Sequence, residues 1–192
     1  MRAASLDRVT NETNITCQLD LENSSKGKIN THVGMLDHML ELFSFHGEFH
    51  LNITAKGDLV VDAHHLIEDV AIVLGLLINK LVAQKPGITR FGSCFLPMDE
   101  SLVRTVVDLS GRPFHVFKGE FGGNNIGAFP CDMVEHFFYS LAINAKFNLH
   151  QEIIYGNNDH HKLEALFKGL GVALKKAWLV KNDKITSTKG VL

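Results

Sequence analysis

Cysteine is scarce in this chain and unpatterned. Its three thiols, Cys17, Cys94 and Cys131, are odd in number and form no C-x-x-C pair. That excludes a disulfide framework and a thiolate zinc site, so they read as small buried side chains. Long apolar runs are lacking too: the longest, Val70 to Ile78, is nine residues, about half of the roughly 20 that a bilayer crossing requires. No transmembrane helix is expected. Residues 1–7 hold no apolar stretch of secretory-signal length, which makes the cytoplasm the expected location. Excess charge of one sign is also absent. Lys plus Arg number 19 against 21 Asp plus Glu, a net charge of −2, so neither nucleic acid nor an anionic membrane is an expected partner, and any bound anion must be held by local cations. Low-complexity segments and proline runs are missing, with only 4 Pro. What remains is 192 residues, 45% of them hydrophobic, enough for one compact domain or two small halves sharing a core.

Histidine is what the chain has in quantity, with 11 residues, and the pattern repeats. His64-His65-Leu66-Ile67-Glu68 returns 96 residues later as His160-His161-Lys162-Leu163-Glu164. Upstream, the acid–histidine pair Asp37-His38 in an apolar stretch returns 98 residues later as Glu135-His136, and Phe49 and Leu51 return as Phe147 and Leu149. Gly75 and Lys80 recur as Gly171 and Lys176, again 96 apart. Two homologous halves follow, residues 1–85 and 86–192 of one compact domain, with Lys85-Pro86-Gly87 at the boundary.

Each half carries the same order of elements. Asn14 to Leu21 and Leu102 to Leu109 alternate in part and read as strands, partnered by Lys28 to Asn30 and Pro113 to Phe117. Met35 to Phe45 and Met133 to Asn144 have apolar residues at three- and four-residue spacing and read as helices. Strands are expected at Phe49 to Ala55 and Phe147 to Tyr155, then turns at Gly57-Asp58 and Gly156-Asn157-Asn158, then helices at Ala63 to Val82 and His160 to Val180. The class is α+β, internally duplicated. The tail from Lys181 is polar and irregular unless something holds it.

On a helix, residues i and i+4 share a face while i+1 points about 100° away. His64 and Glu68 can therefore converge on one point while His65 aims at another, and His160, Glu164 and His161 repeat the arrangement. Eight metal-ligand candidates result, His38, His64, His65, Glu68, His136, His160, His161 and Glu164. They divide into two sets of four, each borrowing one imidazole from the other half or from a neighbouring subunit. Imidazole with carboxylate and no thiolate suits manganese, iron, cobalt or zinc, and ligand type alone does not choose among them. The bland alternative is a histidine-rich surface without metal.

Seven strings carry a family resemblance: Arg8-Val9-Thr10-Asn11-Glu12-Thr13, Gly34-Met35-Leu36-Asp37-His38-Met39-Leu40, His64-His65-Leu66-Ile67-Glu68-Asp69, Pro97-Met98-Asp99-Glu100, Asp108-Leu109-Ser110-Gly111-Arg112-Pro113, Asn158-Asp159-His160-His161 and Ser187-Thr188-Lys189-Gly190. Over nearly the whole chain, and in the family's order, they resemble imidazoleglycerol-phosphate dehydratase. The resemblance implies helices sandwiched between two four-stranded sheets (a ribosomal protein S5 domain 2-like fold), a homo-oligomer of 24 subunits with sites at subunit interfaces, and two Mn2+ ions per active site. It implies a lyase of histidine biosynthesis that dehydrates imidazole glycerol phosphate to imidazole acetol phosphate through a metal-bound imidazolate. Matching residues place Glu12 as the catalytic base, Asp99 as a polar participant and Glu164 as a ligand able to double as base. Arg90, Arg112, Lys168, Ser187 and Lys189 match the phosphate-binding positions. His46, His50, His115 and His150 are left as structural. The family's usual T-G-x-G-F and D-D-H-H read here Thr31-His32-Val33-Gly34-Met35 and Asp62-Ala63-His64-His65, so a backbone strain at His32 and a lost carboxylate at Ala63 are expected. A dinuclear phosphate-ester hydrolase and a non-enzymatic metal-binding structural oligomer are the competing readings.

Overall fold

A computed structural model describes residues 2–83 and 86–188. In the first half, β1 (Ala3–Val9), β2 (Thr13–Asp20), β3 (Ile29–Asn30), α1 (Gly34–Gly47), β4 (His50–Gly57) and α2 (His64–Val82) follow in order. The second half contains β5 (Phe91–Met98), β6 (Ser101–Asp108), β7 (Phe114–Lys118), the short hairpin β8 (Asn125–Ile126) and β9 (Phe129–Pro130), α3 (Asp132–Ala145), β10 (Asn148–Tyr155) and α4 (Asp159–Ala177). The two four-stranded sheets have the same topology, β1-β2-β4-β3 and β5-β6-β10-β7. In both, the innermost pairs are antiparallel and the last strand runs parallel to its neighbour. The duplication expected from the histidine motifs is thus present in the strand order.

Alternation explains the sheets. In β2, Ile15, Cys17 and Leu19 point inward while Asn14, Thr16 and Gln18 face solvent, and β6 repeats this with Val103, Thr105 and Val107. The helices are amphipathic in the expected register: α1 buries Leu36, Met39, Leu40 and Phe43. The α1 helix packs on α4, and α3 on α2, while α2 lies on β1 and β2 and α4 on β5 and β6. The helices therefore form a central layer between the sheets, and each helix pair joins one half to the other. At these crossings sit Gly75 and Gly171. A Cβ on Gly75 would fall 2.6 Å from the Leu141 carbonyl oxygen, and one on Gly171 2.5 Å from that of Phe43. That close approach is the physical reason for a glycine recurring 96 residues on.

Three readings need correction. Strands β1 and β5 are missing from the sequence reading because, although burial alternates along both edges, the inward face of β1 includes Arg8 and the outward face of β5 carries Phe91 and Phe95, so residue type does not alternate with it. The α4 helix stops at Ala177 rather than Val180, because Thr89 N–H donates to the Leu179 carbonyl and Ile88 pairs with Val180. Only Cys17 of the three thiols is fully buried, and burial pushes it up to about 12; Cys94 and Cys131 are partly exposed. All three are free thiols. No described helix is long and apolar enough to cross a membrane.

His32 adopts φ +64°, so the position where the resemblance expects glycine is left-handed and strained, as anticipated. Its turn is held by Asp37 Oδ1, which accepts both the Thr31 N–H and hydroxyl at 2.7 Å. His32→Gly removes the Cβ clash but frees the unfolded chain, so a net gain of about 0.5 kcal/mol is expected. That is a Tm rise of about 1–2 °C at this chain length, readable by calorimetry; a fall in Tm would contradict the strain.

Candidate active site

The central helices bring six of the eight candidate ligands into two clusters. His160 and Glu164 sit one turn apart on α4 and meet His38 of α1: Glu164 Oε1 lies 3.0 Å from His38 Nε2 and 2.9 Å from His160 Nε2. His64 and Glu68, one turn apart on α2, meet His136 of α3, with Glu68 oxygens 3.7 Å from His64 Nε2 and 3.4 Å from His136 Nε2. In each cluster the ligand atoms lie within 4.8 Å of one another. Each combines the His-x-x-x-Glu helix of one half with the acid–histidine helix of the other, because those are the helices that pack together.

The first cluster is the more enclosed. Glu164 is buried, which opposes its ionisation, yet hydrogen bonds from Lys168, His38 and His160 outweigh burial and bring its carboxyl down to about 2. In the second cluster His136 Nε2 is shielded from solvent and makes no hydrogen bond. An unsatisfied buried imidazole nitrogen beside a carboxylate is what a ligand position looks like before an ion is added. Both donor sets, two imidazoles and one carboxylate, fit a divalent cation.

His65 and His161 stand apart from these clusters, as their one-residue offset requires. His65 Nδ1 lies 3.0 Å from Asp58 Oδ2 and 3.8 Å from Glu12 Oε2. The hydrogen bond to Asp58 raises its pKa against a smaller burial effect, with Glu12 adding to the rise. His161 Nδ1 lies 2.7 Å from Glu100 Oε2, and Asp99 Oδ2 is 3.7 Å from its Nε2. The Glu100 bond raises His161, and the same bond, with backbone N–H groups of residues 157 and 158, holds Glu100 far below the usual carboxylate range. Asp58 and Glu100 were not foreseen as site residues; Asp58 read as a turn marker, and nothing in its spacing connects it to His65.

Glu12 is fixed through its backbone. Thr10 Oγ1 accepts the N–H groups of Glu12 and Thr13 at 3.1 and 2.9 Å. Thr13 donates to Asp69 Oδ2, and Asp69 also takes two bonds from Arg8. Buried Asp69 thereby ties the β1–β2 turn to α2, one residue from Glu68. Ala63 carries no carboxylate, as the sequence departure states. Its counterpart Asp159 binds the Gly122 and Gly123 N–H groups and Lys162, while Asp62 performs the capping role of Asn158 by accepting the His64 N–H at 2.8 Å.

The expected phosphate residues are less gathered. Arg90 forms a fork with Asp108, at 2.7 and 3.2 Å, and donates to the Thr186 carbonyl, which anchors the tail next to Ser187. Arg112 is exposed beyond the end of β6. Lys168 lies on Glu164 Oε2 at 2.5 Å. Lys189 lies outside the described residues. His46, His50, His115 and His150 belong to neither cluster; burial, assisted by His150, brings His115 down to about 4.

The family profile described as imidazoleglycerol-phosphate dehydratase matches residues 31–174. A protein of that name from Lacticaseibacillus casei (strain BL23) is 49% identical over the full length of both chains, and one from Methanococcoides burtonii is 48% identical over the full length of both. Among solved structures, imidazoleglycerol-phosphate dehydratase from Staphylococcus aureus subsp. aureus N315 superposes with TM-score 0.85 at 38% identity, covering 93% of this chain and 99% of that one. With this agreement in sequence, fold and length, the chain belongs to the imidazoleglycerol-phosphate dehydratase family, lyases of histidine biosynthesis.

Proposed function

We propose that this chain dehydrates imidazole glycerol phosphate to imidazole acetol phosphate, using two Mn2+ ions at sites completed between subunits of a 24-subunit homo-oligomer. The observation that carries this reading is the pair of His/His/Glu clusters, built on helices that pack across the halves. His38, His160 and Glu164 would hold one ion and His64, Glu68 and His136 the other, with His65 and His161 contributing to the sites of neighbouring subunits. A divalent ion held by these residues would supply acidification of the substrate imidazole, easing loss of a carbon-bound proton that no carbonyl activates.

The chain's own residues then divide the work. Glu12, half exposed on a turn braced by Thr10 and Asp69, takes the carbon-bound proton on its carboxylate. Asp99, exposed at the β5–β6 turn near His161, orients polar groups of the substrate. Lys168 keeps Glu164 ionised, as a ligand must be, and with Arg90, Arg112, Ser187 and Lys189 forms the phosphate site. Guanidinium forks match phosphate oxygens geometrically, and the bond from Arg90 to the Thr186 carbonyl supports this reading by holding the tail beside Arg90.

The test is to incubate Mn2+-loaded protein with imidazole glycerol phosphate while counting ions per chain, ketone formed and phosphate released. The expected result is ketone, about two ions per chain and no free phosphate. Free phosphate without ketone would make the protein a hydrolase, and bound metal without turnover would make it a structural oligomer.

A further inference from the structure

The two halves place their acids differently around the second histidine of each motif. Glu12 and Glu100 are counterparts, each the residue immediately before the inner strand, β2 or β6. In the second half Glu100 itself holds the imidazole, 2.7 Å from His161 Nδ1. Its other oxygen accepts the N–H groups of Asn157 and Asn158 and the Ser101 hydroxyl, so both oxygens are engaged. In the first half Glu12 stands back at 3.8 Å from His65 Nδ1, and the place against the ring is taken by Asp58, whose oxygens lie at 3.0 and 3.2 Å. Asp58 follows Gly57 at the end of β4; a bulge in β10 makes Gly156 the equivalent of Gly57, and the residue that follows it is Asn157, an amide. The acid that secures the histidine has thus changed element between the halves.

Two chemical consequences follow. A carboxylate on Nδ1 accepts a proton there, so the neutral ring carries its lone pair on Nε2, the nitrogen directed away from Asp58; this is the arrangement that supports an imidazole ligand. With Asp58 in that role, the Glu12 carboxylate is not consumed by the ring, unlike its counterpart Glu100. We infer that Asp58 is a positioning residue that fixes His65 with Nε2 as its donor nitrogen and, by occupying Nδ1, leaves the carboxylate of Glu12 free to accept a proton.

The inference rests on the two-ion reading above, and the experiment separates them. Mn2+ binding is measured by equilibrium dialysis for the wild-type protein, Asp58→Ala and Asp58→Asn, with crystal structures of both variants. Alanine is expected to weaken one of the two sites about 10- to 100-fold while sparing the other, and to let the Glu12 carboxylate move onto His65 Nδ1. Asparagine, which keeps an acceptor oxygen, is expected to restore binding to within a few-fold and to keep Glu12 off the ring, a rescue that a merely structural role would not produce. Two ions bound as tightly by the alanine variant as by the wild type would overturn the inference and leave the metal reading standing. So would asparagine behaving like alanine, or Glu12 unmoved in the alanine structure. A wild-type protein that binds no Mn2+ would overturn both.

Discussion

Glu12→Gln is expected to lower kcat by roughly 10² to 10⁴ while both metal sites and substrate affinity persist. The glutamine keeps the shape and the hydrogen-bonding reach of the side chain and removes only the proton acceptor. Nothing in the fold should change. The carboxylate is half exposed, and its backbone N–H is held by Thr10 whatever the side chain carries. The braces on the turn, Thr13 to Asp69 and Arg8 to Asp69, also bypass it. Steady-state kinetics and metal content measured on the same preparation decide the matter. Near-normal turnover with two ions bound would remove Glu12 from the chemistry and pass the proton to Glu164 or Asp99.

Gly171→Val is expected to cost about 3 kcal/mol of stability, the upper end of the usual overpacking range, a fall in Tm of roughly 6–12 °C for a chain of this size. The obstacle is backbone. The added Cβ would lie 2.5 Å from the Phe43 carbonyl oxygen and 2.9 Å from the Gly47 nitrogen, and neither can swing aside as a side-chain tip could. Removing a helical glycine returns less than about 1 kcal/mol in propensity, too little to offset the clash. The α1 and α4 helices must move apart, and they carry His38 on one side and His160 with Glu164 on the other. Affinity at that cluster should therefore fall with stability, while the His64, Glu68 and His136 cluster is spared. Calorimetry and Mn2+ titration of the variant test both statements, and a wild-type Tm would show that the crossing has slack.

Much of this was legible because duplication writes the same signal twice. Paired His-His-x-x-Glu strings, recurrent glycines and buried alternation in β2 and β6 located the halves, the helices and the ligand candidates. What escaped had weak or nonlocal signals. In edge strands β1 and β5 burial alternates, but Arg8 on an inward position and Phe91 and Phe95 on outward ones hide it from the sequence. Helical spacing separated His64 and Glu68 from His65 and left open whether each set borrows an imidazole from the other half or from a neighbour; the packing of α2 on α3 and α1 on α4 brings each cluster's third candidate ligand from the other half. Asp58 and Glu100 reach His65 and His161 from turns, and no periodicity encodes where a turn's side chain points.

The crossed construction of the clusters bears on how such a chain arose. A lone half possesses an acid–histidine helix and a His-x-x-x-Glu helix that are not packing partners, so as a monomer it would assemble neither three-residue cluster. Two copies in a closed two-fold dimer would form both centres at once, identical by symmetry, and joining them end to end preserves the geometry while lifting the requirement that the centres stay the same. The exchange of carboxylates between Asp58 and Glu100 is a mark of that freedom. In the present chain the two glutamates differ in surroundings: Glu100 is bonded to His161 and to three neighbouring groups, while Glu12 stands 3.8 Å from His65.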